Sequence, residues 1–289
     1  MTASNELRLK TLPSTPPMLL QAAITRKKPG KAPCFPNHAL EVANIRCNSK
    51  QLRRYNQACG FADNTQTLSV SFLHVQVFRL HMKMMLDKAF PLAPMGCVHL
   101  SNTIVQHRPI AIDEVLRLRC NIADNKVSDK GYEFTFHCEA YCGDELVWED
   151  DSLYLSRAKT NIASGPKSAR PEPRSYAQSR VINISRSDAR KYARASGDFN
   201  PIHLHDLSAK ILGFKRMVIH GMWSKAACLA NLSSDIKTTA YRCHVEFKTP
   251  IFLPANVRLD YETNGANLEF ELRDKSGVKP HLIGSIQPL

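Results

Sequence analysis

The 289-residue sequence predicts an α+β chain made of two copies of one unit, each an antiparallel sheet covering one buried helix. Three observations predict it. First, the chain repeats itself. SKQLRRYNQACGF (49–61) aligns with SRSDARKYARASGDF (185–199), and HLSNTIVQHRPI (99–110) aligns with RCHVEFKTPI (242–251). The spacing is held as well, with 54 positions from Tyr55 to Pro109 and 58 from Tyr192 to Pro250. Second, each half ends in segments that alternate apolar and polar residues, the period-2 signature of a half-buried strand. Third, ahead of those strands each half holds a stretch that is apolar nearly all round, which marks a buried helix. An antiparallel sheet must cover its apolar face, and that helix is the available cover.

Taken in order, residues 1–39 form a basic arm. Its first 31 residues set Arg8, Lys10, Arg26, Lys27, Lys28 and Lys31 against Glu6, a net of +5. Pro16-Pro17 followed by MLLQAAITRKK predicts a short helix that docks onto the body and is ended by Pro29-Gly30. Residues 40–159 are the first copy. They hold the helix of 49–61, the buried helix HVQVFRLHMKMMLDKAF (74–90), and the strands EVLRLRCNIAD, YEFTFHCEAYC and ELVWEDDSLYLS. The methionines read as core filler, since the flexible thioether packs irregular gaps. Polar or Gly-bearing turns at 128–131 and 142–144 separate the strands. Residues 160–180, TNIASGPKSARPEPRSYAQSR, read as a linker with the boundary near residue 168, because Pro166, Pro171, Pro173 and Gly165 break any periodicity. Residues 181–289 are the second copy, with the buried helix GMWSKAACLANL (221–232) and the strands NVRLDYET, NLEFELRD and HLIGSIQPL.

Composition narrows the function classes. A formal net charge of +13 and a pI near 9.4 attract polyanions. Neither zinc-finger spacing nor an aromatic RNA-binding signature accompanies the charge, which sets nucleic acid aside as a partner. A phosphate-rich small substrate or an acidic carrier protein gains from the same field. The nine cysteines are odd in number and include no C-x-x-C, and several lie inside apolar runs. That pattern reads as reduced, mostly buried thiols in a reducing compartment, hence a cytoplasmic protein. No 18-residue apolar run offers a membrane span, and the N-terminus lacks a secretory h-region.

The chemistry concentrates at Tyr192–Met222. Asp198, Asn200, Pro201 and His203 fall within six positions, and His220-Gly221-Met222 begins seventeen residues after His203. Taken singly, Asp198 and Asn200 read as turn residues, and His203 as a structural histidine. Together they point further. Pro201 fixes φ and holds Asn200 extended, so one rigid loop aims Asp198 and His203. A carboxylate and an imidazole five residues apart on such a loop can share one water and move its protons. Asn200 would support the loop. Gly221, at a helix start, offers a backbone N–H where the helix dipole favours a developing oxyanion. The first copy is an internal control: it reads Cys59-Gly60-Phe61-Ala62-Asp63-Asn64-Thr65-Gln66, and Val75 stands at the place of Gly221. A copy that keeps the frame without the acid and base keeps a structural task.

The segment YARASGDFNPIH, with IHGM after it, closely resembles the hydratase-2 motif of MaoC-like dehydratases, the (R)-specific enoyl-thioester hydratases. The resemblance implies two hotdog domains in one chain, a degenerate N-terminal one and a catalytic C-terminal one, pairing as an intrachain pseudo-dimer, with a homodimer as a further option. It implies Asp198 and His203 as the catalytic pair, Gly221 N–H as donor to the thioester carbonyl and Asn200 as the supporting amide. The substrate it implies is an acyl-CoA or acyl-carrier-protein thioester, handled without metal or redox cofactor. The family's downstream Ser in the central helix has no clear equivalent, since Leu229 falls near its place. Two alternatives stand beside hydration of enoyl-CoA: dehydration of 3-hydroxyacyl groups on acyl carrier protein, and a non-catalytic acyl-thioester binding module.

Overall fold

In the computed structural model the described residues are 6–27, 33–163, 165 and 174–289. In chain order they form β1 (Glu6–Leu9), α1 (Thr15–Ile24), β2 (Ala39–Arg46), α2 (Ser49–Cys59), α3 (Leu73–Met85), β3 (Cys97–Gln106), β4 (Val115–Ser128), β5 (Gly131–Cys142) and β6 (Glu145–Arg157). The second repeat follows with β7 (Gln178–Ile184), α4 (Arg186–Ser196), a 3₁₀ turn (Pro201–His203), α5 (Asp206–Ile211), α6 (Gly221–Asn231), β8 (Tyr241–Phe247), β9 (Ala255–Asn264), β10 (Asn267–Asp274) and β11 (Pro280–Pro288). Each repeat is one strand, a short helix, a buried helix and four further strands. The strand order is also the same, β2-β4-β5-β6-β3 in the first and β7-β9-β10-β11-β8 in the second.

Two compact units are woven from this chain, and they are not consecutive along it. The first takes Met1–Ile45, Gln76–Asn102 and Val115–Glu172; the second takes Arg46–Val75, Thr103–Glu114 and Pro173–Leu289. The short helix α2 of the first repeat thus belongs to the second unit. The expected boundary near 168 and the linker prolines Pro166, Pro171 and Pro173 lie outside the described residues.

In the first unit β4, β5 and β6 form an antiparallel meander. The α3 residues Val77, Leu80, Met82, Met84 and Met85 are all buried. Aromatic rings fill the space beside them, Phe90 against Phe134 and Phe134 against Phe136 meeting edge to face at 5.3 and 5.6 Å. The helix stops at Met85 rather than continuing to residue 90. Lys27 braces the turn that follows, because its Nζ donates to the Met85 carbonyl at the helix end, left open there, and to the carbonyls of Asp87 and Phe90 beyond it. Helix α1 ends at Ile24, where Thr25 Oγ1 donates back to the Gln21 carbonyl at 2.7 Å; Pro29-Gly30, the expected stop, lies outside the described residues. The arm also contributes a strand that its composition did not announce, β1, which pairs in parallel with β2 from Glu6↔Ala39 to Leu9↔Val42.

In the second unit α4 starts at a capping box, Ser185 and Asp188 each accepting from the other's backbone N–H. It ends at Gly197 with φ +77°, as α2 ends at Gly60 with φ +87°, the left-handed cap that glycine adopts at no steric cost. The two helices pack together. The Tyr55 and Tyr192 rings lie 5.9 Å apart, and Gln51 Nε2 donates to the Ala195 carbonyl at 2.9 Å. The central helix α6 is buried from Met222 through Ala230, and Trp223 Nε1 donates to the Ala58 carbonyl at 2.6 Å. No described helix is long and apolar enough to cross a membrane.

Candidate active site

The site is built at the end of α4. Its last turn is tied by Ser196 Oγ, which donates to the Tyr192 carbonyl at 2.8 Å and accepts from the Asp198 N–H at 3.2 Å. Asp198 Oδ1 then accepts the Asn200 N–H at 3.1 Å, an Asx turn that leaves the second carboxylate oxygen for other partners. The Asn200 side chain accepts from Ile202 N–H and so caps the 3₁₀ turn that carries His203. Asn200 therefore shapes the loop and makes no described contact with the imidazole.

His203 is 8 % exposed, and its Nδ1 lies 2.8 Å from the Val218 carbonyl oxygen. A carbonyl only accepts, so Nδ1 carries the proton and Nε2 presents a lone pair. His220, directly before α6, stacks on His203 with ring centroids 3.6 Å apart. Its Nε2 donates to the Asp198 carbonyl at 2.9 Å and stands 3.8 Å from Asp198 Oδ2. Asp198, His203 and His220 each bring one side-chain atom to within 4.8 Å of the others. Two hydrogen bonds of ~2.8 Å meeting at a water span about that distance.

Gly221 opens α6, so its N–H is among the first-turn donors that have no intrahelical acceptor. A Cβ there would lie 3.1–3.4 Å from the ring atoms of Phe247, which leaves little room for any side chain at this helix start.

Residues 167–282 match the family described as MaoC like domain. The chain carries a MaoC-like domain. Over 256 residues it is 27% identical to 3-hydroxyacyl-thioester dehydratase X of Mycobacterium tuberculosis, spanning 88% of this chain and 91% of that relative. The crystal structure of HtdX from the same organism superposes with a TM-score of 0.76 at 25% identity, covering 87% of this chain and 100% of the other. A MaoC-like dehydratase from Phytophthora capsici shares the fold with a TM-score of 0.72 at 17% identity, over 90% of this chain and 97% of that one. The fold is the hotdog of these neighbours.

Within the MaoC-like domain all four residues singled out from the sequence sit on one loop or at the helix start it faces. His220 was visible only as the neighbour of Gly221 and received no role of its own. Its signal was an imidazole placed directly before a helix-opening glycine. In the first repeat, hydrogen bonds between neutral groups hold the matching loop, beside an exposed Arg53–Asp63 ion pair at 3.5 Å. Asn56 Nδ2 donates to the Asn64 carbonyl at 3.0 Å, Ser69 Oγ to Asn56 Oδ1, and Tyr55 hydroxyl to Ser71 Oγ at 2.9 Å. A cavity of about 310 Å³ in the same unit is lined by Leu229, Tyr241, Leu68 and Val70 among others. Neither Asp198 nor His203 lines it. Leu229 lies eight residues along α6 from Gly221, ~12 Å at 1.5 Å per residue.

Burial pushes the pKa of His203 down, against a weaker upward pull from Asp198 and the Val218 carbonyl. It pushes His220 down further, helped by His203 beside it. Above the ordinary histidine pKa of ~6.5 both folded and unfolded chains are neutral at these positions, and neither ring makes stability depend on pH. As pH falls through that value the unfolded chain binds protons that the folded one refuses, so stability falls. His137 works in the opposite sense, because Asp151 and Glu139 raise its pKa to about 10. The expected result is an unfolding free energy, read from urea titrations, that falls from pH 7.5 to 5.5 more steeply in the wild type than in His203→Gln, by up to ~1 kcal/mol per pH unit. Equal slopes in the two proteins would refute the buried neutral imidazole.

Proposed function

We propose that this chain reversibly hydrates trans-2-enoyl-CoA to (R)-3-hydroxyacyl-CoA. Asp198 and the lone pair on His203 Nε2 hold one water between them. In the hydration direction the water's hydroxyl adds to Cβ of the enoyl group, and its proton is delivered to Cα on the same face. Negative charge gathers on the thioester oxygen as the Cβ–O bond forms, and the Gly221 N–H at the start of α6 stabilises it there. Dehydration runs the same steps backwards. The observation that carries this reading is the approach of Asp198 to His203 within 4.8 Å, with Nδ1 committed to a backbone carbonyl. The dehydratase named among the relatives supports the reaction class.

The test is loss of enoyl absorbance with crotonyl-CoA, followed by chiral analysis of the product. Formation of the (R)-3-hydroxy thioester is expected; the (S) product, or thioester hydrolysis releasing free CoA, would overturn the reading. The same acyl group presented on acyl carrier protein ranks the two carriers by kcat/KM. The net charge of +13 favours either, since both CoA and carrier protein are anionic.

A further inference from the structure

Three side chains that this chemistry does not use converge in the core of the first unit. His81 on α3, Cys120 on β4 and Cys138 on β5 are each 0 % exposed. Each brings one potential ligand atom to within 4.8 Å of the other two. Cys120 and Cys138 are direct partners in the β4–β5 register, so both thiols project from the same face of the sheet. His81 Nε2 stands 3.1 Å from Cys138 Sγ. Its ring is held in place, lying flat on Phe136 with centroids 4.4 Å apart, while Nδ1 faces the Tyr154 hydroxyl at 3.5 Å. One strand further along the same row, Asp150 is the register partner of Cys138 and accepts from Asn102 and Ser152.

A buried thiol by itself is an ordinary small apolar side chain. Two thiols and an oriented imidazole meeting at one point are a soft nitrogen–sulfur donor set, the set that selects zinc over the hard cations. Zinc–sulfur bonds of ~2.3 Å and zinc–nitrogen bonds of ~2.0 Å, at tetrahedral angles, separate ligand atoms by ~3.5–3.8 Å. The observed approach brackets that spacing. Charge points to the same ion. One Zn²⁺ with two thiolates and a neutral imidazole is electrically neutral, which suits a site with no exposed surface, where an uncompensated charge would be costly.

We propose that His81, Cys120 and Cys138 form a structural zinc site that pins α3 to strands β4 and β5. Binding releases the two thiol protons, and the His81 Nε2 lone pair completes the third bond while Nδ1 keeps its proton toward Tyr154. The site lies in the repeat that lacks the Asp/His pair, and the proposal stands whether or not the chain is a hydratase.

The experiment uses the full chain, stripped with a chelator under reducing conditions and titrated with Zn²⁺ and Co²⁺. Wild type is expected to bind about one zinc per chain, to release about two protons, and to unfold ~5 °C higher with zinc in excess. Cobalt is expected to give a thiolate-to-metal charge-transfer band together with intense tetrahedral ligand-field bands. Cys138→Ser and His81→Asn should each weaken zinc binding at least ~10-fold. Cys228→Ser, in a buried thiol pair of the other unit, should leave it unchanged. If the Cys138 variant does not fold, the wild-type cobalt spectrum decides alone. Absence of the thiolate–cobalt band, zinc stoichiometry near zero, or a Cys120–Cys138 disulfide in the native protein overturns the proposal.

Discussion

Asp198→Asn is expected to lower kcat for hydration of a short enoyl thioester by ~10²–10⁴-fold, the contribution of a positioned acid–base group. The substitution is chosen for what it leaves intact. An asparagine Oδ1 can still accept the Asn200 N–H that closes the Asx turn, and its backbone carbonyl can still accept from His220 Nε2. Loop geometry is kept while the negative charge is removed. His203→Gln is the partner experiment, since the side-chain amide can donate to the Val218 carbonyl in place of Nδ1. A drop of similar size is expected, and the double variant should lose little more than either single one, because residues that act on one water act as a unit. Circular dichroism and the urea midpoint at pH 7.5 should stay close to wild type. If both variants keep their kcat, the two side chains do not handle the reacting water and the hydratase reading fails.

Much of this was legible in the chain itself, and the reasons differ by level. The repeat exposed the architecture because both copies keep the same helix-capping glycines and the same alternation, so Gly60 and Gly197 announce the same turn. The strand segments YEFTFHCEAYC and NLEFELRD match β5 and β10 nearly residue for residue, since a half-buried strand writes its pleat into the sequence. The Asp198–His203 loop was legible because its residues are local and proline-fixed. What escaped notice depends on contacts between distant segments. No local pattern says that α2 leaves its own repeat to pack on α4, or that Glu6–Leu9 adds a strand beside Ala39–Val42. His220 depends on ring stacking across a seventeen-residue separation from His203. The cluster of His81, Cys120 and Cys138 has no metal-motif spacing at all; only the β4–β5 register brings the two thiols together.

The largest expected effect on stability is at Phe270, a fully buried ring on β10. Its register partner on β11 is Gly284, and a Cβ built on that glycine would lie 2.3 Å from Phe270 Cζ and 2.8 Å from two further ring carbons. The ring thus lies across the space that any other residue at 284 would fill. Phe270→Ala should cost ~3–5 kcal/mol by losing the ring's burial and leaving a void. Gly284→Ala should cost ~1–3 kcal/mol, because the ring must move off its rotamer to admit a methyl. The two are in contact and should not add: with the ring removed the new methyl partly fills the void, so the double variant should be more stable than the sum of the singles implies. Urea midpoints for the four proteins complete the cycle, and strict additivity would show that the ring does not occupy the Gly284 site. Activity supplies a second discrimination. Gly284 also pairs with Val245 on β8, the strand that carries Phe247 against Gly221, yet it touches neither Asp198 nor His203. Well below its unfolding midpoint Gly284→Ala should therefore retain most of its activity per folded molecule, the reverse of Asp198→Asn, where the fold survives and turnover is lost.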